Sequence, residues 1–276
     1  MHLTQAWRDL LHPGDATDFF QRVTMPPFEP DAAVYSHANA LWLAELSRLV
    51  YRHDVKEAPI KSVRPELVEG QPSLDTILAA ANFNKRYFFL DKPTDTQAML
   101  VEHTGTPTYA VLAFRGTEQL LKDFITDLEL GKFTVSDTQK NVHDGFEEAL
   151  ASVWNDIETE LNKLPANCPV FYTGHSLGAA LATLAAAKRP PKALYTFGSP
   201  QVGNQAFVNS LPNIPIHRVV DDQDIVTTLP PVFVEFQHAG QEHRLAAPKK
   251  GFSFQRLLGP VKKLDDHAPI NYVERI

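Results

Sequence analysis

Val170-Phe171-Tyr172-Thr173-Gly174-His175-Ser176-Leu177-Gly178-Ala179-Ala180 runs from an apolar, β-like segment through Gly-x-Ser-x-Gly into an alanine-rich stretch that stops at Pro190-Pro191. Strand, sharp turn and helix in that order are the setting of a nucleophile elbow. Glycines at this spacing let a strand and a helix reverse direction with their backbones in contact, and the serine between them is held in strained geometry at the top of a sheet. The pattern predicts an exposed, pre-aimed Ser176 hydroxyl. The plain alternative is a glycine-rich turn with a solvated serine.

Working outward, the same alternation continues on both sides. Tyr87–Leu90 and Thr96–Val101 flank a turn at Asp91-Lys92-Pro93-Thr94 and predict a hairpin. Tyr109–Phe114 is a continuous apolar run, as expected of a strand covered on both faces. Phe146, Leu150, Val153, Ile157, Leu161 and Leu164 predict a long helix closed by Pro165. Segments 169–173, 177–188, 192–197, 205–209 and 216–220 then read strand, helix, strand, short helix, strand. Such repetition predicts an α/β fold: a mainly parallel central sheet flanked by helices, with antiparallel strands at the edges and the site at the C-terminal strand ends. Further on, Val232–Phe236 and His243–Leu245 around Ala239-Gly240 read as a second hairpin, and the chain ends in a short helix.

The 276 residues, 43% of them hydrophobic, suit one large domain spanning 1–276. Residues 1 to about 30 carry Pro13, Pro26, Pro27 and Pro30 and read as an arm laid over the domain. His37 to Tyr51 reads as an amphipathic packing helix, and about 54–74, with three prolines among charges, as a surface excursion. A net charge of −7 disfavours nucleic acid or an anionic membrane as partner and suits neutral or apolar substrates. No apolar run reaches membrane-spanning length. The single cysteine, Cys168, cannot form an internal disulfide, and no basic start is followed by an apolar run. Cytoplasmic location is the default expectation, with secretion open if a leader has been removed.

A serine hydroxyl is a weak nucleophile, so Ser176 needs a histidine base and a carboxylate to orient it. In α/β-hydrolases the order along the chain is Ser, acid, His. Asp221, Asp222 and Asp224 all follow the 216–220 strand, and position alone does not separate them. Asp224 is preferred because Ile225-Val226 and Leu229-Pro230-Pro231 give it an apolar floor. The later histidines are His238, His243 and His267; the first two flank a turn, whereas His267 lies on a late loop able to fold back over the strand ends. For the oxyanion, the Leu177 N–H at the helix start is one donor, and Thr117, in Arg115-Gly116-Thr117 after an early strand, is the natural second.

Together these residues resemble the class 3 lipases, the fungal-type triacylglycerol lipases and their bacterial relatives in the α/β-hydrolase superfamily. The resemblance rests on Phe114-Arg115-Gly116-Thr117, Val142-His143-Asp144-Gly145-Phe146, Thr173–Ala180, Thr196-Phe197-Gly198-Ser199-Pro200, Asp224-Ile225-Val226 with Leu229-Pro230-Pro231, and Asp266-His267 with Tyr272. It implies Ser176 as nucleophile, Asp224 as acid, His267 as base, and Thr117 with Leu177 as oxyanion hole. It also implies that a helix from about Glu118 to Leu130, with Leu120, Leu121, Phe124 and Ile125 on its apolar face, is or descends from a lid over the site. That lid opens at an oil–water interface, so lipid or small-ester substrates and transient contact with such an interface are the expected partners. An ordinary packed helix fits the same residues.

His238-Ala239-Gly240-Gln241-Glu242-His243 has neither zinc-protease spacing, and Gly198–Gly203 lacks the dinucleotide fingerprint, so neither a metal nor a cofactor is expected. The expected activity is that of a serine ester hydrolase, lipase or esterase, working through an acyl-enzyme. The alternatives are a non-catalytic lipid- or ester-binding protein on the same fold, and an acyltransferase to alcohols.

Overall fold

The computed structural model describes residues 7–52, 71–116, 142–222, 224–230, 235–246, 264 and 266–276. The 91–94 turn folds as predicted: Asp91 Oδ2 accepts from the Thr94 N–H at 2.9 Å and from its hydroxyl at 2.7 Å, an Asx-type turn. It joins β1 (Phe83–Asp91) to β2 (Thr96–His103) in antiparallel register, and β2 pairs antiparallel with β3 (Ala110–Phe114). From β3 onward the pairing is parallel, through β4 (Val170–His175) and β5 (Ala193–Phe197). A two-residue strand, β6 (Gly203–Asn204), stands outside the sheet, which continues with β7 (Ile216–Asp221).

Among the described residues the second hairpin is not formed, and Val232–Val234 of its first arm lie outside them. Phe236–Gln237 is β8 and pairs antiparallel with β6, while Gln241–Leu245 is β9 and pairs parallel with β7. The turn signal at Gly240 was right, but its backbone, at φ +82, lies against Ile216, where a Cβ would meet Ile216 Cγ2 at 2.3 Å. There the chain joins the open edge of β7. Arg218 pairs with Glu242 at 2.6 Å across that junction. The main sheet therefore reads β1-β2-β3-β4-β5-β7-β9, with its antiparallel strands at one edge and parallel β9 at the other.

The helices are α1 (Trp7–Leu11), α2 (His37–Leu49), α3 (Leu74–Ala80), α4 (Asp144–Leu161), α5 (Leu177–Lys188), α6 (Gln205–Ser210) and α7 (Pro269–Arg275). Alternation along β4 assigns their faces. Thr173 donates its hydroxyl to the Leu43 carbonyl of α2 at 3.3 Å, so Phe171, Thr173 and His175 face α2, against which α7 packs. Tyr172 and Gly174 face the other way, towards α5, on which α4 packs. Every residue of β3 is buried, as its unbroken apolar run requires. Helix α4 ends at Leu161, short of Leu164, in keeping with the bias of a residue before proline away from helical geometry.

Helix α2 is not amphipathic in place. Besides Ala40, Leu43, Leu46 and Leu49, it buries Asn39, Glu45, Ser47 and Arg48. The arm explains this: the Phe20 N–H donates to Glu45 at 3.0 Å, Arg48 pairs with Glu45 at 2.9 Å and Asp18 at 3.0 Å, and its guanidinium lies 4.4 Å above the Phe19 ring. Buried charges persist where they are paired and hydrogen-bonded. Farther along the arm, Phe28 stacks on Tyr109 at 4.0 Å and meets Phe171 edge-on at 4.9 Å. Residues 54–70 of the expected excursion lie outside the described residues, and Ser73 near its end caps α3 by accepting from the Thr76 N–H.

Candidate active site

Ser176 sits between β4 and α5 at φ 58, ψ −128, a backbone conformation that costs a non-glycine residue about 1–3 kcal/mol. Its neighbours show why the turn needs glycine. A Cβ on Gly174 would lie 2.3 Å from the Gly178 carbonyl, and one on Gly178 would lie 2.2 Å from the Phe114 carbonyl oxygen. The Ser176 N–H donates to the Phe197 carbonyl at 3.0 Å, tying the elbow to the end of β5. Its Oγ has no hydrogen-bond partner among the described residues. That hydroxyl is pre-aimed but not exposed, since Ser176 is only 1% accessible. The Gly116 backbone packs against it, so close that a Cβ there would stand 3.1 Å from Ser176 Cβ.

The three aspartates after β7 have different surroundings. Asp221 is buried and ion-paired with Arg275 of α7, and the Asp222 carbonyl accepts from Arg244 at 2.6 Å. Asp224 caps a 3-10 turn, its Oδ1 accepting from the Val226 N–H at 2.9 Å. Its Oδ2 accepts from His267 Nδ1 at 2.8 Å and from the Tyr272 hydroxyl at 2.5 Å. Burial and the adjacent Asp224 carboxylate hold the Tyr272 phenol well above the usual tyrosine range, so it stays protonated and donates.

The histidines separate just as clearly. His238 bonds the Thr227 carbonyl at 2.7 Å, and burial brings its pKa down to about 4. His243 stacks on Tyr35 at 3.9 Å and bonds His217 at 3.1 Å. Of the three candidates, His267 reaches Asp224. It is fully buried, with Nδ1 on the carboxylate and Nε2 without a hydrogen-bond partner among the described residues. Leu177 opens α5, where first-turn N–H groups lack an intrahelical acceptor. Thr117, Leu120, Leu121, Phe124 and Ile125 lie outside the described residues.

Sequence reasoning missed three neighbours. Gly198, at φ +59, directly follows β5, so close to the site that a Cβ there would lie 2.8 Å from Asp224 Oδ2 and 3.0 Å from His267 Nδ1. His175 bonds the His267 carbonyl through Nε2 at 2.7 Å, and Tyr51 bonds His175 Nδ1 at 3.1 Å. The available signal was the even offset from Thr173, which turns His175 away from α5. Among the described residues, no group of three or more His, Cys, Asp or Glu is arranged to hold a metal ion, and no helix is long and apolar enough to cross a membrane.

Residues 111–234 match the family model described as lipase (class 3). The solved structure of lipase II from Rhizopus niveus is similar with a TM-score of 0.52 and 30% identity, over 59% of this chain and 67% of that one. The chain belongs to the class 3 lipase family. Within the family it is 35% identical over 166 residues to the lipase of Rhizomucor miehei, covering 54% of this chain and 45% of that protein. It is also 35% identical over 145 residues to the secreted mono- and diacylglycerol lipase 1 of Fusarium solani, covering 49% and 43%. The chain spans about half the length of the curated relatives it matches. A relative named as secreted overturns the cytoplasmic expectation. That expectation rested on the opening residues, the single cysteine and the lack of a membrane-spanning run, whereas location depends on an address segment that leaves no mark on the folded core.

Proposed function

We propose that the protein hydrolyses carboxylic esters of lipids, with acylglycerols as the principal substrates. Ser176 Oγ attacks the ester carbonyl while His267 Nε2 takes its proton; Asp224 stabilises the resulting imidazolium. The tetrahedral oxyanion is held by the N–H of Leu177 and by Thr117, and each such donor contributes about 3–4 kcal/mol to the transition state. Collapse breaks the bond to the alcohol, which leaves with the proton from His267. Water, deprotonated by His267, then cleaves the acyl-enzyme to release the fatty acid and free Ser176.

One observation carries this reading: the His267 imidazole is fixed by Asp224 through one nitrogen and, among the described residues, has no partner on the other. His238 also leaves one buried nitrogen without a partner among the described residues, but its bonded nitrogen meets a backbone carbonyl, whereas that of His267 meets a carboxylate able to stabilise an imidazolium. The near-complete burial of Ser176 adds a second element. Substrate needs an opening movement, and the segment carrying Leu120, Leu121, Phe124 and Ile125 is the lid that supplies it at an oil–water interface. In this reading the whole chain works as one domain.

The test is hydrolysis of p-nitrophenyl butyrate and p-nitrophenyl palmitate by wild type and by Ser176→Ala, with folding followed by circular dichroism. Wild type should cleave at least one ester, and folded Ser176→Ala should lose nearly all of that rate. Equal rates in the two proteins, or two inert folded proteins, would remove Ser176 from the role of nucleophile.

A further inference from the structure

We propose that His175 is a positioning residue for this reaction, a neutral strut that holds the backbone of His267, and that the Tyr51 hydroxyl fixes its tautomer. The inference rests on the hydrolase reading above and assigns work to two residues that the triad does not use.

The hydrogen-bond arithmetic is closed. His175 Nε2 stands 2.7 Å from the His267 carbonyl oxygen, which can only accept, so Nε2 carries the hydrogen. In a neutral imidazole Nδ1 then has a lone pair, and the Tyr51 hydroxyl at 3.1 Å is the donor it faces. Full burial and the neighbouring His267 ring, 4.4 Å away between centroids, hold His175 well below the usual histidine range and keep it neutral. Neutrality matters here because His267 itself becomes an imidazolium during the reaction, and a charged neighbour would oppose that.

The strut connects separate parts of the fold. Tyr51 lies just beyond the end of α2, His175 ends β4 directly before Ser176, and His267 lies just ahead of α7. The Tyr51 hydroxyl also packs against the Gly116 backbone, where a Cβ would stand 2.1 Å from it. From the sheet side, Asp224 therefore holds the His267 ring and His175 holds its backbone carbonyl. The His267 N–H also donates to the Leu264 carbonyl at 3.1 Å, but that bond lies within its own loop, whereas His175 ties the main chain of His267 to the end of β4. Displacements near 1 Å in such sites lower rates by about 100-fold.

Steady-state kinetics on p-nitrophenyl butyrate with His175→Leu, His175→Gln and Tyr51→Phe test this, together with nitrogen-15 NMR of histidine-labelled wild type and Tyr51→Phe. His175→Leu should lower kcat about 10- to 100-fold with KM changed less than about threefold, because the side chain never meets substrate. His175→Gln, whose amide can donate where Nε2 did, should recover most of that loss. Tyr51→Phe should cost several-fold in kcat and add little on top of His175→Leu. The NMR spectrum at neutral pH should show His175 protonated on Nε2 only, with that preference weakened in Tyr51→Phe.

A folded His175→Leu enzyme with wild-type kcat, equal losses in the Leu and Gln variants, or a His175 protonated on Nδ1 would overturn the strut. If His175→Leu does not fold, the Gln and Tyr51→Phe variants and the wild-type spectrum still decide it. Absence of turnover in wild type overturns the hydrolase reading and the strut with it. Turnover in wild type with an unaltered kcat in folded His175→Leu overturns the strut alone.

Discussion

His267 Nδ1 lies 2.8 Å from Asp224 Oδ2, two side chains 43 residues apart brought together in the buried interior. The same oxygen accepts from Tyr272, so the carboxylate is oriented before any substrate arrives. Asp224→Asn keeps the volume but replaces a pure acceptor by a group able to donate, which favours the wrong imidazole tautomer; kcat should fall roughly 10⁴-fold. Tyr272→Phe removes one hydrogen bond to a charged group and leaves the Asp221 N–H without its 3.3 Å partner. It should cost about 1.5–3 kcal/mol of stability and lower kcat far less than Asp224→Asn, as urea unfolding and steady-state assays will show.

Gly198→Ala should damage activity more than stability. Its φ of +59 costs an alanine roughly 1–2 kcal/mol, and the added methyl would press on Asp224 Oδ2 at 2.8 Å and His267 Nδ1 at 3.0 Å. The carboxylate can yield only by loosening its other hydrogen bonds. We expect kcat to fall at least about tenfold, in proportion to a misaimed imidazole. Wild-type kcat in this variant would show that the pair tolerates displacement.

Gly174→Ala should fail differently. Here the clash is with the backbone of Gly178, at 2.3 Å, and no side chain can swing aside. Separating β4 from α5 disturbs the centre of the sheet, so a loss of at least about 3 kcal/mol, or insoluble protein, is the expected result. Denaturant midpoints, or soluble yield where the loss is too large to titrate, measure it.

Acid should destabilise the fold through buried neutral histidines. His217 and His238 have pKa values brought down from 6.5 to about 4, chiefly by burial. Between those values the unfolded chain binds protons that the folded one refuses, so their contribution is intact above about pH 6.5 and is lost as pH falls towards 4. Each group adds up to about 1.4 kcal/mol per pH unit to that slope. His238→Gln, which can still donate to the Thr227 carbonyl, should flatten unfolding free energy against pH in this window; an unchanged slope would remove His238 from the account.

The elbow was legible because its determinants are local: two glycines, a β-like run and a helix within a dozen residues. The order Ser, acid, His narrowed the partners, but the structure separates Asp224 from Asp221 through contacts with α7 that no spacing records. Longer-range facts left no trace. Tyr51 and His175 are 124 residues apart, and periodicity reports which face a residue takes, not what it meets there. The same gap explains the missing hairpin, where alternation identified β9 but could not tell an antiparallel neighbour from the free edge of β7. It also explains α2, whose charged side reads as solvated until the arm covers it.

Phe28, stacked on Tyr109 and edge-on to Phe171, sets a limit on how far this protein can be shortened. A version starting at Ser36 would hand an aromatic patch to water and strip Arg48 of its Asp18 partner. Apolar patches of that kind promote self-association, so the shortened protein would aggregate although every residue of the candidate site remained. A minimal unit for display, immobilisation or fusion should begin ahead of Asp18.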